Sequence, residues 1–148
     1  MAASAWQLYN TAKRYIGNGT IELGVGNFKM ALFTSASNTS TFTLSTFASL
    51  TNEIAATGGY VSGGKLLVPA TGQWTTGAST NQMKFTYSAV GLTFTASGSS
   101  LSDIKYAVIY QSGGKLLCFC QLSSAQFTVS SPNTLTVLPA ATGVFTLT

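Results

Sequence analysis

The chain has 148 residues, 45% of them hydrophobic and only 7% charged, with seven Lys or Arg, three Asp or Glu and no His, whereas ordinary soluble domains carry about 25% charged residues. One domain of this length buries roughly 70% of its unfolded surface, so neither a disulfide framework nor a metal is needed to hold it together. The net charge of +4 comes from scarce acids: apart from the Lys13-Arg14 pair, Lys29, Lys65, Lys84, Lys105 and Lys115 stand singly, which excludes the clustered basic stripe of a nucleic-acid binder.

Met1 to Leu8 has neither the basic start nor the apolar run of a secretory signal. No segment approaches the roughly eighteen apolar residues of a membrane span. The expectation is synthesis in the cytosol, with Cys118 and Cys120 reduced and no membrane partner. Ser4 followed by Gln7 has the form of a capping box. Ala5, Leu8, Tyr9, Ala12 and Ile16 follow at helical spacing up to Gly17, which predicts a helix over residues 4–16. Trp6 and Tyr15 lie beside that stripe, so part of the helix is expected to meet something other than its own core.

From Thr20 onward the pattern is one of strands. Phe28, Met30 and Leu32 alternate with Lys29 and Ala31, the mark of a half-buried strand. Further strands are predicted at 65–68, 83–87, 92–96, 104–110, 115–122, 126–129, 134–138 and 144–148. Gly, Ser, Asn and Pro clusters punctuate them. Strands so short and so regularly interrupted indicate a single mainly β domain over 1–148. Its predicted form is an antiparallel β-sandwich or barrel-like fold over 20–148, preceded by the one short amphipathic helix.

The segment Thr34 to Leu50 is rich in Ser and Thr, with Phe42, Leu44 and Phe47 threaded through it. It reads as a long anchored loop or a poorly formed strand pair, and loops of that length are commonly functional. Residues 60–67 and 110–117 share seven of eight residues (YVSGGKLL and YQSGGKLL) at an offset of 110 − 60 = 50. The predicted meaning is two β-hairpins with Gly-Gly turns.

The chemistry-bearing patterns are sparse. Each Gly-Gly-Lys is followed by Leu, where a phosphate loop needs Ser or Thr after its Lys and an earlier Gly. Zinc sites usually take four ligands from Cys, His and acids; two cysteines two apart on a strand read as small buried apolar groups. Without His the commonest general base is missing and no Ser-His-Asp site can be assembled. Glu22, Glu53 and Asp103 are scattered, unlike a glycosidase pair. The expectation is a non-enzymatic protein with no cofactor or metal. Its candidate protein-contact residues are Trp6, Tyr9, Lys13 and Arg14 on the helix and Phe42, Leu44 and Phe47 in the loop. Two tryptophans and six tyrosines leave a carbohydrate- or cell-surface-binding module as an alternative.

Several segments in order, Tyr9-Asn10 with Lys13, Ile16 to Ile21, Phe28 to Ser35, Asn52-Glu53-Ile54, Gly59-Tyr60, Ile104 to Tyr110 and Gly143 to Thr148, resemble a family of small virion structural proteins of tailed bacteriophages, the capsid decoration or cement proteins. The likeness spans nearly the whole chain and rests on apolar and turn patterns. It departs from the family in having no acids in Thr34 to Leu50, and in offering Leu92-Thr93-Phe94 where many members place a Trp. The resemblance implies a protein made in the bacterial host cytoplasm and bound to the outer surface of the head. There it would stabilise the lattice of the major capsid protein, as a homo-oligomer with a trimer favoured and without direct nucleic-acid contact. A head–tail connector or tail component is the alternative within the same class.

Overall fold

The computed structural model describes residues 3–69 and 72–148. In chain order the elements are β1 (Gln7–Leu8), α1 (Asn10–Gly17), β2 (Phe28–Phe33), a single 3-10 turn (Phe47–Ser49), β3 (Lys65–Leu66), β4 (Trp74–Thr76), β5 (Met83–Phe85), β6 (Leu92–Thr95), β7 (Leu101–Ile104), β8 (Tyr106–Gln111), β9 (Lys115–Gln121), β10 (Phe127–Val129), β11 (Thr134–Val137) and β12 (Phe145–Leu147). The fold is mainly β, with several antiparallel sheets and one short helix, in a sandwich-like arrangement. A five-stranded sheet in the order β1-β9-β8-β2-β3 forms one layer; a three-stranded sheet β12-β5-β4 and the pairs β11-β6 and β10-β7 complete the strands.

The central strands β2, β8 and β9 are near-continuous apolar runs and are buried along most of their length. Such runs suit strands covered on both faces. Register shows how. Met30, Ile109, Cys118 and Leu8 form one row across four strands; Ala31, Val108, Phe119 and Gln7 form the next, pointing to the opposite face. On the first face Phe28 meets Phe85 of the three-stranded sheet edge-on at 4.9 Å between centroids. On the second face Tyr9 packs on Phe119 at 5.1 Å, and Phe42 meets the same ring at 5.4 Å. One contiguous apolar cluster runs through all of these elements.

The helix begins six residues later than its sequence pattern predicts, at Asn10 rather than Ser4. The reason is the outer edge of β9, whose unpaired backbone groups demand partners. The Ser4 N–H donates to the Gln121 carbonyl at 2.8 Å, and the Tyr9 N–H donates to that of Leu117 at 3.2 Å. Ser4 Oγ accepts the Gln121 N–H at 2.9 Å instead of capping a helix, so residues 4–8 run along β9, with Gln7–Leu8 paired to it as β1. The main sheet thereby recruits residues that precede the predicted sandwich boundary at residue 20. Within the sandwich, β4 had no predicted counterpart, and the predicted 104–110 strand is broken at Lys105 into β7 and β8.

The two Gly-Gly segments do not share a structure. Around Gly113-Gly114, β8 and β9 form a hairpin. Residues 60–67 form none: Tyr60 to Gly64 lie outside strands, and β3 pairs with β2. Gly64 runs so close to β2 that a Cβ there would lie 1.9 Å from the Met30 carbonyl oxygen, while one on Gly114 would meet nothing within 4 Å. Identical residues thus serve a tight backbone crossing in one place and an open turn in the other.

Candidate functional site

The residues singled out from the sequence fall into separate places. Tyr9 is fully buried and its hydroxyl donates to the Thr39 carbonyl at 2.8 Å; burial pushes its phenol well above the usual range. It is a core residue, and the expectation that it meets a partner is corrected. It lost its surface position because the strand that replaced the first predicted helical turn points it at Phe119. Lys13 and Arg14 are exposed on α1, and the Arg14 guanidinium sits 5.3 Å from the Tyr15 ring centre. Trp6 is half-buried and packs against the core from β9's side of the sheet.

The segment 34–50 is an anchored strap over the second face of the main sheet. Phe47 stacks on Tyr110 at 4.2 Å and meets Phe33 edge-on at 6.0 Å. The backbone is clipped at both sides. The Phe42 and Leu44 carbonyls accept from the Asn10 N–H and Thr11 hydroxyl, at 3.0 and 2.7 Å. The Phe47 N–H donates to Gly114 at 2.6 Å, and Ser45 accepts from the Leu116 N–H at 3.1 Å. Leu44 and Phe47 are half-buried, so their apolar surface is largely spent inside the chain. Phe42 retains an exposed ring edge.

A hydrogen-bonded cluster surrounds Glu53. Its carboxylate accepts from the Tyr60 hydroxyl at 2.6 Å, the Gly63 N–H at 2.6 Å and the Ser62 hydroxyl at 3.0 Å. Tyr60 in turn accepts the buried Leu32 N–H at 3.0 Å, beyond the point where β3 stops pairing with β2. The cluster therefore finishes the sheet edge. Burial first, then Glu53, pushes the Tyr60 phenol well up, and with three donors on the carboxylate the group is a structural clasp. Cys118 and Cys120 are buried free thiols. Burial and the neighbouring Cys120 push Cys118 up, and burial pushes Cys120 up to about 12. Thiols so placed are protonated and unreactive. No group of three or more His, Cys, Asp or Glu that could hold a metal occurs among the described residues.

A concavity lies elsewhere, between the N-terminal segment and the end of β11. It is a groove of about 670 Å³ walled by Trp6, Phe127, Leu135, Leu138 and Pro139, with Val137 and Val144 among its lining, and among the described residues no charged side chain faces it. Beside it Val68, Val90 and Leu138 are exposed at 57%, 79% and 58%. Backbone contacts bring these three together: Val68 accepts the Ser88 N–H at 2.6 Å, Gly91 closes the Ser88–Gly91 turn at 2.8 Å, and a Cβ on Gly91 would lie 3.1 Å from Leu138 Cδ2. Sequence reasoning found Trp6 but missed the other members. The available signal was Ala89-Val90, an apolar pair at the tip of a turn, where polar residues are the rule. No protein-family model, curated protein or solved structure matches the chain.

Proposed function

We propose that the chain is a non-enzymatic structural protein of a tailed-phage virion, a decoration or cement protein that binds the outside of the head and stabilises its capsomer lattice. The observation that carries this reading is chemical. Among the described residues the groove has no charged lining and exposed apolar side chains lie beside it, while Glu53 and both thiols are committed to the fold. A surface hydrated through hydroxyls and amides, with apolar side chains displayed at one end, is suited to contact. The ordered likeness of nearly the whole sequence to the phage family supplies the biological setting.

The energetics of such a role are favourable. A protein that binds only the assembled lattice stabilises it by mass action. Repeated copies touching several capsomers gain from effective concentration, so modest individual contacts suffice. The sparse charge keeps the desolvation cost of those contacts small. The deciding measurement is quantitative mass spectrometry of purified particles. Copies in the hundreds per particle are expected for a shell component. Copies at the level of a single ring would indicate a connector or tail part, and absence from particles would overturn the proposal.

A further inference from the structure

We infer that Asn18-Gly19, at the C-terminal end of α1, is a self-modification site, where the Asn18 side-chain amide converts through a cyclic imide to aspartate and isoaspartate. The chain has seven asparagines, and only Asn18 is followed by Gly, the residue that brings no Cβ against a reacting neighbour. Asn18 is exposed, and its Oδ1 accepts the Thr20 N–H at 3.1 Å. That donor is already in place to hold the oxygen as it gains negative charge. The Nδ2 leaving group has no partner among the described residues and faces water. A Cβ on Gly19 would meet nothing within 4 Å, so the backbone there has open space to turn. The attacking group, the Gly19 N–H, is held by the Ile16 carbonyl at 3.3 Å, a long bond at a helix end, where fraying begins. Asn38 and Asn52 are fastened instead. Asn38 donates to Ser49 and accepts from Thr51, and Asn52 donates to Ala36, all at 2.9 Å.

The reaction balances with water as co-reactant. The Gly19 nitrogen gives its proton to hydroxide and bonds to Asn18 Cγ, closing the imide ring. The Cγ–Nδ2 bond breaks, and Nδ2 takes a proton from water and leaves as ammonia, regenerating the hydroxide. A second water then opens the ring. Cleavage of the new Cγ–N bond gives aspartate; cleavage between the main-chain carbonyl of residue 18 and the same nitrogen gives isoaspartate, which lengthens the main chain by a methylene. Either product sets a carboxylate one helical turn after Arg14, whose carbonyl accepts the Asn18 N–H at 3.0 Å, and so on the face of that side chain. Lys13-Arg14 is the only adjacent cation pair in the sequence. The net charge of +4 falls by one at this pair, and its attraction for acidic surfaces falls with it. The conversion runs one way, so it records the age of a chain.

The test is peptide mapping by mass spectrometry of the full folded chain, aged for weeks at physiological temperature in neutral and in mildly alkaline buffer. Fragmentation that separates aspartate from isoaspartate reads the products. Conversion at Asn18 is expected to run at least about tenfold ahead of every other asparagine, faster in the alkaline buffer, with both products present. Gly19→Ala is expected to slow it by about tenfold or more. Asn18→Asp carries the product's charge without the chemistry, and on cation exchange it is expected to elute with one species of the aged parent; this comparison holds whether or not the Gly19 variant folds. Another asparagine converting first, aspartate as the sole product, an unchanged rate in a folded Gly19→Ala, or an aged parent with no species matching Asn18→Asp overturns the inference. No particle or partner enters the measurement, so this claim and the shell reading stand or fall separately.

Discussion

Substituting Ala at Gly64 and at Gly114 separates two copies of one sequence motif by their tertiary surroundings. Both glycines have positive φ, +69° and +95°, so Ala at either site carries a backbone cost of about 1–3 kcal/mol. At Gly114 that is the whole effect, because a Cβ meets nothing within 4 Å. At Gly64 the new carbon would fall 1.9 Å from the Met30 carbonyl oxygen and 2.7 Å from Ala31 Cα. These are main-chain atoms of β2 in the centre of the sheet, which no rotamer change can move aside. Relief requires β3 and the residues before it to leave β2, exposing Leu67. The expected loss is on the order of 4 kcal/mol or more, the range reserved for such mechanisms. Urea unfolding followed by tyrosine and tryptophan fluorescence measures both variants against the parent. Equal losses at the two sites, or a Gly64→Ala protein as stable as Gly114→Ala, would refute the close-crossing argument and with it the assignment of β3 to the edge of β2.

Two further outcomes follow from the buried polar groups. Tyr60→Phe removes the hydroxyl that both accepts the Leu32 N–H and donates to Glu53; leaving that buried N–H unpaired is expected to cost about 1–3 kcal/mol, and a loss below a few tenths in urea titration would show that the clasp is dispensable. The thiols give a pH signature: unfolded chains release their protons near 9.0, the ordinary value, while the folded protein holds them to higher pH. The unfolded state then binds fewer protons, so stability is full well below pH 9 and falls as pH approaches and passes it, by up to about 1.4 kcal/mol per pH unit for each thiol. Urea midpoints between about pH 8 and 9, where the thiols outweigh the buried tyrosines that are likewise held above their ordinary value, should slope downward in the parent and distinctly less in Cys118→Ala/Cys120→Ala; an unchanged slope in the double variant would remove the thiols from the account.

Much of this architecture was legible in sequence because its information is local. Alternating and continuous apolar runs located β2, β5, β6, β8, β9, β10, β11 and β12 to within a few residues, since a strand's period and its turn residues are properties of neighbouring positions. The poverty in charge and the missing imidazole likewise bounded the chemistry before any coordinates. Tertiary structure alone decided the rest. Ser4 to Leu8 has a helical pattern, but the unpaired edge of β9 draws its backbone into the sheet and takes Tyr9 into the core with it. The twin Gly-Gly-Lys segments became a hairpin and a backbone crossing because only one is followed by a strand that pairs with the strand before it. Val68, Val90 and Leu138 are far apart in the chain and become one surface through turns between β3, β6 and β11. Periodicity reports which face a residue takes on its own element; which elements then compete for a free edge, or meet at one end, depends on long-range pairing that no local pattern encodes.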